Sequence, residues 1–231
     1  MARFTNQVLI VTGAAAGIGR AAALKLAAEG ASVFLTDVAA EGLEETAKLA
    51  TEVGSAAGAG VEFRTADISD ESQAKESVAA CVTAFGKLDT LCNNAGIIGY
   101  RRTHEMDFAF WRKIMSVNLD GTFLMTREAI PHLLETKGAI VNIGSTAGLS
   151  GLAYGAAYSA SKGAVHAFTR AIAVEYAENG LRANSICPAS ILDTFLIARF
   201  TVEGVPYARM LVGIAQHDEL DSHLLPARYC V

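Results

Sequence analysis

The chain has 231 residues, of which 52% are hydrophobic and 19% charged, and a formal net charge of -5. That apolar fraction excludes disorder and is ample for a buried core. The mildly acidic balance, without blocks of Lys or Arg, gives no electrostatic footprint for nucleic acid or an anionic membrane surface.

The opening Met1-Ala2-Arg3-Phe4 leads into Val8-Leu9-Ile10-Val11, too short a run for a secretory signal, and glycines follow at 13, 17 and 19. No apolar stretch approaches the roughly 18 residues of a membrane span. A cytoplasmic protein is the expectation. Of the four cysteines, Cys92 and Cys187 fall in apolar strand-like runs and read as packing groups. None shows metal-type pairing, and no disulfide is expected.

In chain order, short apolar runs alternate with helical stretches. Strands are expected over 7–12, 32–37, 61–66, 88–93, 138–143 and 182–187. Helices are expected over 17–29, 40–53, 70–86, 107–135 and 155–178. Residues 54–60 form a small-residue connector too short to separate domains. Such alternation is the pattern of βαβ units on a parallel sheet with helices on both faces. The expected fold is therefore one doubly wound Rossmann-type α/β domain over 1–231, with a mostly parallel sheet of six or seven strands. Within it, 1–190 would be the core, 191–212 a substrate lid and 213–231 an atypical tail.

The first strand runs into Thr12-Gly13-Ala14-Ala15-Ala16-Gly17-Ile18-Gly19 and then a helix. Glycine lets the backbone turn tightly and approach a ligand, and the helix start offers unpaired N–H groups to a diphosphate. About 20 residues on, Asp37 ends the second strand, where a carboxylate can accept both hydroxyls of an adenosine ribose. It would repel a 2′-phosphate, which favours NAD over NADP. Ala16 supplies no offsetting cation, although Arg20 lies close in sequence.

Ser145 follows the fifth strand, and Tyr158 and Lys162 stand four apart on a helix, so phenol and amine share one face. A nearby ammonium or an oxidised nicotinamide would lower the phenol's pKa and make Tyr158 an acid/base group. Ser145 would hold the substrate oxygen where charge develops. On the same helix Ala156, Ala160, Ala164, Ala167 and Ala171 form a stripe on the opposite side, at ~100° per residue. That stripe suits a close helix contact.

These residues resemble the short-chain dehydrogenase/reductase family over about residues 5–190. The match comprises Thr12-Gly13-x-x-x-Gly17-Ile18-Gly19, Asp67, Asn93-Asn94-Ala95-Gly96, Asn118, Ser145 and Tyr158-x-x-x-Lys162. The resemblance implies that Gly13, Gly17, Ile18 and Gly19 line the diphosphate of NAD, Asp37 its ribose, and Asp67 and Ile68 its adenine. Asn94 would brace the sheet while Ala95 and Gly96 flank the cofactor, and Pro188 and Ile191 would approach the nicotinamide. Asn118 would help hold a water relay to Lys162, Lys162 would grip the nicotinamide ribose, Tyr158 would move the proton and Ser145 orient the substrate. A secondary alcohol or ketone is the implied substrate, and a homodimer or homotetramer the implied assembly. The stretch from Arg3 to Glu44 looks most like levodione-type cyclic-ketone reductases.

The family's pattern is departed from in two places. Pro188 is followed by Ala189 where glycine is usual, an alanine that would be strained if the position needs positive φ. Thr194 stands one residue late, and nothing after Met210 matches the family's last helix and strand. Two other readings therefore stand beside the enzyme: an impaired nucleotide-binding protein of the same fold, and an assembly module using the alanine stripe. His217, Asp218, Glu219, Asp221 and His223 read as a solvated tail rather than a zinc site, so no metal is expected. His104, His132 and His166 read as structural or exposed. Leu149, Leu152, Tyr154, Ile191, Leu192, Phe195 and Leu196 are candidates for an apolar substrate pocket, with core packing or a dimer contact as the alternative.

Overall fold

In a computed structural model of the chain, residues 2–189 are described. Six strands, β1 (Val8–Thr12), β2 (Ser32–Asp37), β3 (Val61–Thr65), β4 (Thr90–Asn93), β5 (Ala139–Ile143) and β6 (Arg182–Ile186), form one sheet in the order β3-β2-β1-β4-β5-β6. Every neighbouring pair is parallel. A parallel connection needs a crossover, and the right-handed rule sends the two halves of the chain to opposite faces.

Helices α1 (Gly17–Ala28) and α2 (Ala40–Gly54) therefore cover one face together. Their core is rich in alanine: Ala23, Ala27, Ala47 and Ala50 lie against Val11, Val33 and Leu35. Small side chains let these helices sit close to the sheet. Helices α3 (Glu71–Phe85), α5 (Gly121–Thr136) and α7 (Ala156–Glu175) belong to the other face. There Ile10, Leu91 and Ile140 pack with Val78, Met125, Leu133 and Ile172. Full burial of each such side chain contributes about 1.5–3 kcal/mol.

Local chemistry sets the helix ends. Asp70 accepts from the Gln73 amide at 3.0 Å to start α3, and Gly86, at φ +78, ends it. Asp107 likewise caps α4 (Phe108–Met115) through the Phe110 amide at 2.7 Å.

Most element boundaries fall within two residues of the sequence expectation, and one element differs in kind. The single helix expected over 107–135 is α4, then a wide π turn over Ser116–Asp120, then α5. Such a bulge inserts an extra residue and re-aims a side chain, often at a functional site. Here it turns Asn118 fully inward. A short α6 (Ala147–Ser150) after β5 was also not expected.

Among the described residues no helix is long and apolar enough to cross a membrane. The lid over 191–212, the tail over 213–231, a seventh strand, Ile191, Leu192, Thr194, Phe195, Leu196 and the His217–His223 cluster all lie outside the described residues.

Candidate active site

The strand order reverses between β1 and β4, and in sheets of this kind ligands bind at that crevice beyond the strands' carboxyl ends. Two chain segments meet there. Thr12 Oγ1 accepts from the amides of Asn94 and Ala95 at 3.0 and 2.9 Å. The Asn94 carboxamide donates to the carbonyls of Thr12 and Gly13 at 3.0 and 3.1 Å. Asn94 thus ties the end of β4 to the end of β1.

That closeness dictates the glycines. A Cβ on Gly13, whose φ is +65, would lie 2.7 Å from the Ala95 α-carbon, and one on Gly19 would collide with the Gly13 carbonyl. Gly17 is different: its φ is +54 but nothing stands within 4 Å of where a Cβ would be. The floor of the turn is packed and its roof is open. The first amides of α1, at Gly17, Ile18 and Gly19, have no acceptor four residues back, so they face that opening with a partial positive charge.

Asp37 sits beside the turn at the end of β2. Its carboxylate accepts from the amides of Ala15 at 3.0 Å and Ala39 at 2.9 Å. Arg20 is committed elsewhere: its guanidinium donates to the Ala15 and Gly42 carbonyls, to Thr46 Oγ1 and to Glu45. The cation that the sequence left near a 2′-phosphate is held by α2.

Asp67 closes a small turn after β3, accepting from the Ser69 hydroxyl at 2.6 Å and its amide at 2.9 Å. The Ser69 hydroxyl holds its carboxyl below the usual range. The side chain of Ile68 points into the core, against Gly121, so only its main chain is offered to the crevice. Ala95 and Gly96 follow β4, where a Cβ on Gly96 would stand 3.2 Å from Asn118 Oδ1 and 3.3 Å from Lys162 Nζ.

Tyr158, Lys162 and Ser145 converge, as their spacing implied. The Ser145 hydroxyl is near enough to the Tyr158 phenol to lower its pKa, and it accepts from the Ala147 amide at 3.1 Å. Lys162 is 5% exposed, with Nζ donating to the Ile143 carbonyl at 2.6 Å and standing 5.9 Å from the centre of the Tyr158 ring. Burial pushes this amine down to about 8. Burial also raises the Tyr158 phenol, more than the Ser145 hydroxyl lowers it. Proximity to an ammonium would by itself depress that phenol, as the spacing implied. In the bare protein the cost of placing a charge in a desolvated site dominates instead.

Asn118 reaches the same volume from the π turn. Its carboxamide accepts from the Ile97 amide at 2.7 Å and donates to the Ile97 carbonyl at 2.9 Å and Ser161 Oγ at 3.0 Å. With its side chain so fixed, Asn118 anchors the segment after β4 to α7.

Two polar groups were missed in the sequence. Asn93 and Asn142 are register partners on β4 and β5; Asn93 donates to Asn142 Oδ1 and Thr126 Oγ1, and Asn142 to Thr169 Oγ1. His166, read as structural or exposed, is buried against Ser145. Its signal was available: it stands one further helical turn, four residues, beyond Lys162.

Pro188 lies at the exit of β6, where its carbonyl accepts from the Thr146 amide at 3.2 Å. Among the described residues, only Asn6, Lys137 and Tyr154 carry positive φ without being glycine. Ala189 is not one of them, so the expected strain there is absent. Leu149 is exposed, while Leu152 and Tyr154 are half-buried beside α7. No group of metal-ligating side chains occurs among the described residues.

A doubly wound parallel sheet with a packed glycine turn and a Ser–Tyr–Lys cluster at its crevice defines a class of nucleotide-linked α/β oxidoreductases. The family model of the short-chain dehydrogenases matches residues 7–201, and the chain belongs to that family. It is 40% identical over 193 residues to a 2-(S)-hydroxypropyl-CoM dehydrogenase of Xanthobacter autotrophicus, covering 83% of this chain and 74% of that protein. It is 41% identical over 191 residues to levodione reductase of Leifsonia aquatica, covering 82% and 71%. Among solved structures, NAD+-bound xylitol dehydrogenase superposes with a TM-score of 0.79 at 32% identity, covering 84% of this chain and 74% of that one. The chain is an oxidoreductase of alcohols and ketones.

Proposed function

We propose that the chain is an NAD(H)-dependent dehydrogenase/reductase of secondary alcohols and ketones, with Tyr158 as the acid/base group. The observation that carries this reading is the convergence of Ser145, Tyr158 and Lys162 beside the glycine turn.

The residues present fit the dinucleotide. The open roof at Gly17 and the first amides of α1 would take the diphosphate, Asp37 the adenosine ribose, and the main chain at Asp67–Ile68 the adenine. Ala95, Gly96 and Pro188 would flank the nicotinamide side, where Lys162 would hold the ribose. The ionic preference for NAD rests on Asp37 and on the engagement of Arg20 with Glu45; the NAD+ bound in the related xylitol dehydrogenase supports it. The bound dinucleotide supplies the hydride partner and, when oxidised, a positive charge that favours the phenolate.

The chain's own groups handle the proton. Ser145 presents its hydroxyl to the substrate oxygen and to the Tyr158 phenol, so that oxygen is held beside the proton it exchanges. Tyr158 gives a proton in ketone reduction and takes one in alcohol oxidation. Lys162, at about 8, is largely ammonium near neutrality and keeps a positive charge beside the ring.

The alanine stripe supports assembly as a homodimer or homotetramer. Ala160, Ala167 and Ala171 are exposed on the side of α7 away from Lys162. The free thiols of Cys81 and Cys92 fit a reducing compartment and thus the cytoplasm.

The test is to incubate the purified protein with NAD and a panel of cyclic and aryl secondary alcohols, following NADH absorbance. Turnover is expected. Dinucleotide binding without turnover across the panel would instead favour the impaired nucleotide-binding protein, and no binding at all the assembly module.

A further inference from the structure

Helix α7 lowers three polar side chains onto the strand ends at four-residue intervals: Tyr158, Lys162 and His166. The first two belong to the reaction proposed above. The third is 5% exposed and has no part in it. Its imidazole stands between the ends of β5 and β6. Nε2 lies 3.1 Å from the Ser145 carbonyl oxygen, and Nδ1 lies 2.8 Å from Ser185 Oγ. The Cys187 sulfur packs against the ring at 3.7 Å.

Sheet pairing continues past β5, with Gly144 N–H donating to the Ile186 carbonyl and Thr146 N–H to the Pro188 carbonyl. The Ser145 carbonyl instead accepts from the Gly148 amide at 3.0 Å and turns its other lone pair toward α7. His166 meets it. The space was made for the ring: a Cβ on Gly144 would fall on the imidazole.

The shorter contact, to the carbonyl, favours one tautomer. A carbonyl oxygen only accepts, so Nε2 carries the proton and donates to Ser145. Nδ1 then accepts from the Ser185 hydroxyl. With Nε2 protonated, the Ser145 amide at 3.5 Å has no lone pair to meet there.

We infer that His166 is a positioning residue for the reaction: as its Nε2–H tautomer it fixes the Ser145 peptide plane, and through that plane the hydroxyl that orients Tyr158 and the substrate. The Ser185 contact separately ties β6, which leads to Pro188, to the same ring. The inference rests on the proposed dehydrogenase reading.

Three variants separate positioning from mere packing. In His166→Gln the side-chain amide nitrogen reaches where Nε2 stands and keeps the bond to Ser145. In His166→Asn the shorter amide reaches only toward Ser185. His166→Leu fills the space and makes neither bond. Steady-state rates, NADH binding by fluorescence and melting temperature are measured for each on the full chain.

For His166→Leu and His166→Asn, kcat is expected to fall by about tenfold or more, the scale of a small misplacement of a reacting group. NADH binding is expected to stay unchanged. His166→Gln should recover most of the rate although it is no more stable than His166→Asn. Equal rates for the Gln and Asn variants, or a wild-type rate in the Leu variant, would overturn the inference. If the Leu variant does not fold, the Gln–Asn pair decides. Nitrogen NMR of the wild-type imidazole gives an independent reading; a neutral ring protonated at Nδ1 would also overturn it. A wild-type protein that binds NAD without turnover sinks the dehydrogenase reading itself, which is a different result from active protein with equal variants.

Discussion

The two halves of the sheet build their sides of the crevice by different means. Around β1, β2 and β3 the ligand side is almost wholly backbone: a glycine turn, helix amides and one carboxylate that itself rests on backbone amides. Around β4, β5 and β6 the same crevice is made of buried polar side chains. Asn93, Asn118, Asn142, Ser145, Ser161, Lys162, His166 and Thr169 are all below a tenth exposed. A diphosphate asks for donors at fixed spacing, which main chain supplies without losing side-chain entropy. A proton transfer asks for a titratable group and for partners that hold it, which only side chains supply. The first half should therefore be sensitive to volume at glycines and tolerant of side-chain loss, and the second half the reverse.

The largest effect falls in the second half. Tyr158→Phe leaves the volume and removes the proton, so kcat should fall by about 10²–10⁴-fold, the usual worth of a general acid/base. NADH binding, read by fluorescence, should be unchanged. A fully active phenylalanine variant would remove the chemical half's claim to be chemical.

In the first half the expected damage is steric. Gly19→Ala places a methyl on the Gly13 carbonyl and 2.5 Å from Asn94 Nδ2. The turn must shift, at about 1–3 kcal/mol of stability, and dinucleotide binding should be lost with it. Gly17→Ala is the control. It meets only the left-handed φ, about 1–2 kcal/mol, and no neighbouring atom. Thermal melts with and without NADH should rank Gly19→Ala below Gly17→Ala, and the opposite order would refute the packed-floor description.

The same contrast explains what the sequence made legible. Glycine turns, strand periodicity and the acidic strand end are written in single residues at fixed spacing, so all six strands could be placed in advance. Tyr158 and Lys162 were legible because four residues make one helical turn. The π turn at Ser116–Asp120 was not, since its cause is tertiary: Asn118 satisfies Ile97, more than 20 residues earlier, and Ser161, more than 40 later. The Asn93–Asn142 pair needs the strand register, and His166 needs the knowledge that β5 ends beneath it. The direction of the Tyr158 shift was missed for a related reason, because spacing gives proximity to Lys162 but not the depth of burial.

Lys162 offers a stability test of that burial. Its amine titrates at about 8 when folded and at the ordinary 10.5 when unfolded. Below pH 8 both states are protonated and the folded protein carries the whole desolvation penalty. Between 8 and 10.5 the unfolded chain binds more protons, so stability rises with pH. Lys162→Met removes the penalty and the bond to Ile143. It should be inactive yet about 2 kcal/mol more stable than wild type at pH 7. By pH 10 that advantage should have vanished in urea unfolding. An advantage independent of pH would mean the amine is not buried as a charge.

The smallest effect belongs to the one side chain on which the backbone-built half relies. Asp37→Asn keeps an acceptor for one of the two amides but loses the charge offered to a ribose. A charge-assisted hydrogen bond is worth about 1.5–3 kcal/mol, and the surviving amide bond offsets part of it. NADH affinity is therefore expected to fall by about tenfold, while NADPH affinity rises because the repulsion is gone. Arg20→Ala should leave the ratio of the two affinities unaltered, since that guanidinium already serves Ala15, Gly42 and Glu45. The pair of variants is informative because the two hypotheses differ only there. If discrimination comes from the carboxylate, the Asp37 variant alone moves it; if Arg20 swings out to meet a 2′-phosphate, wild type binds NADPH the more tightly and the Arg20 variant abolishes that preference.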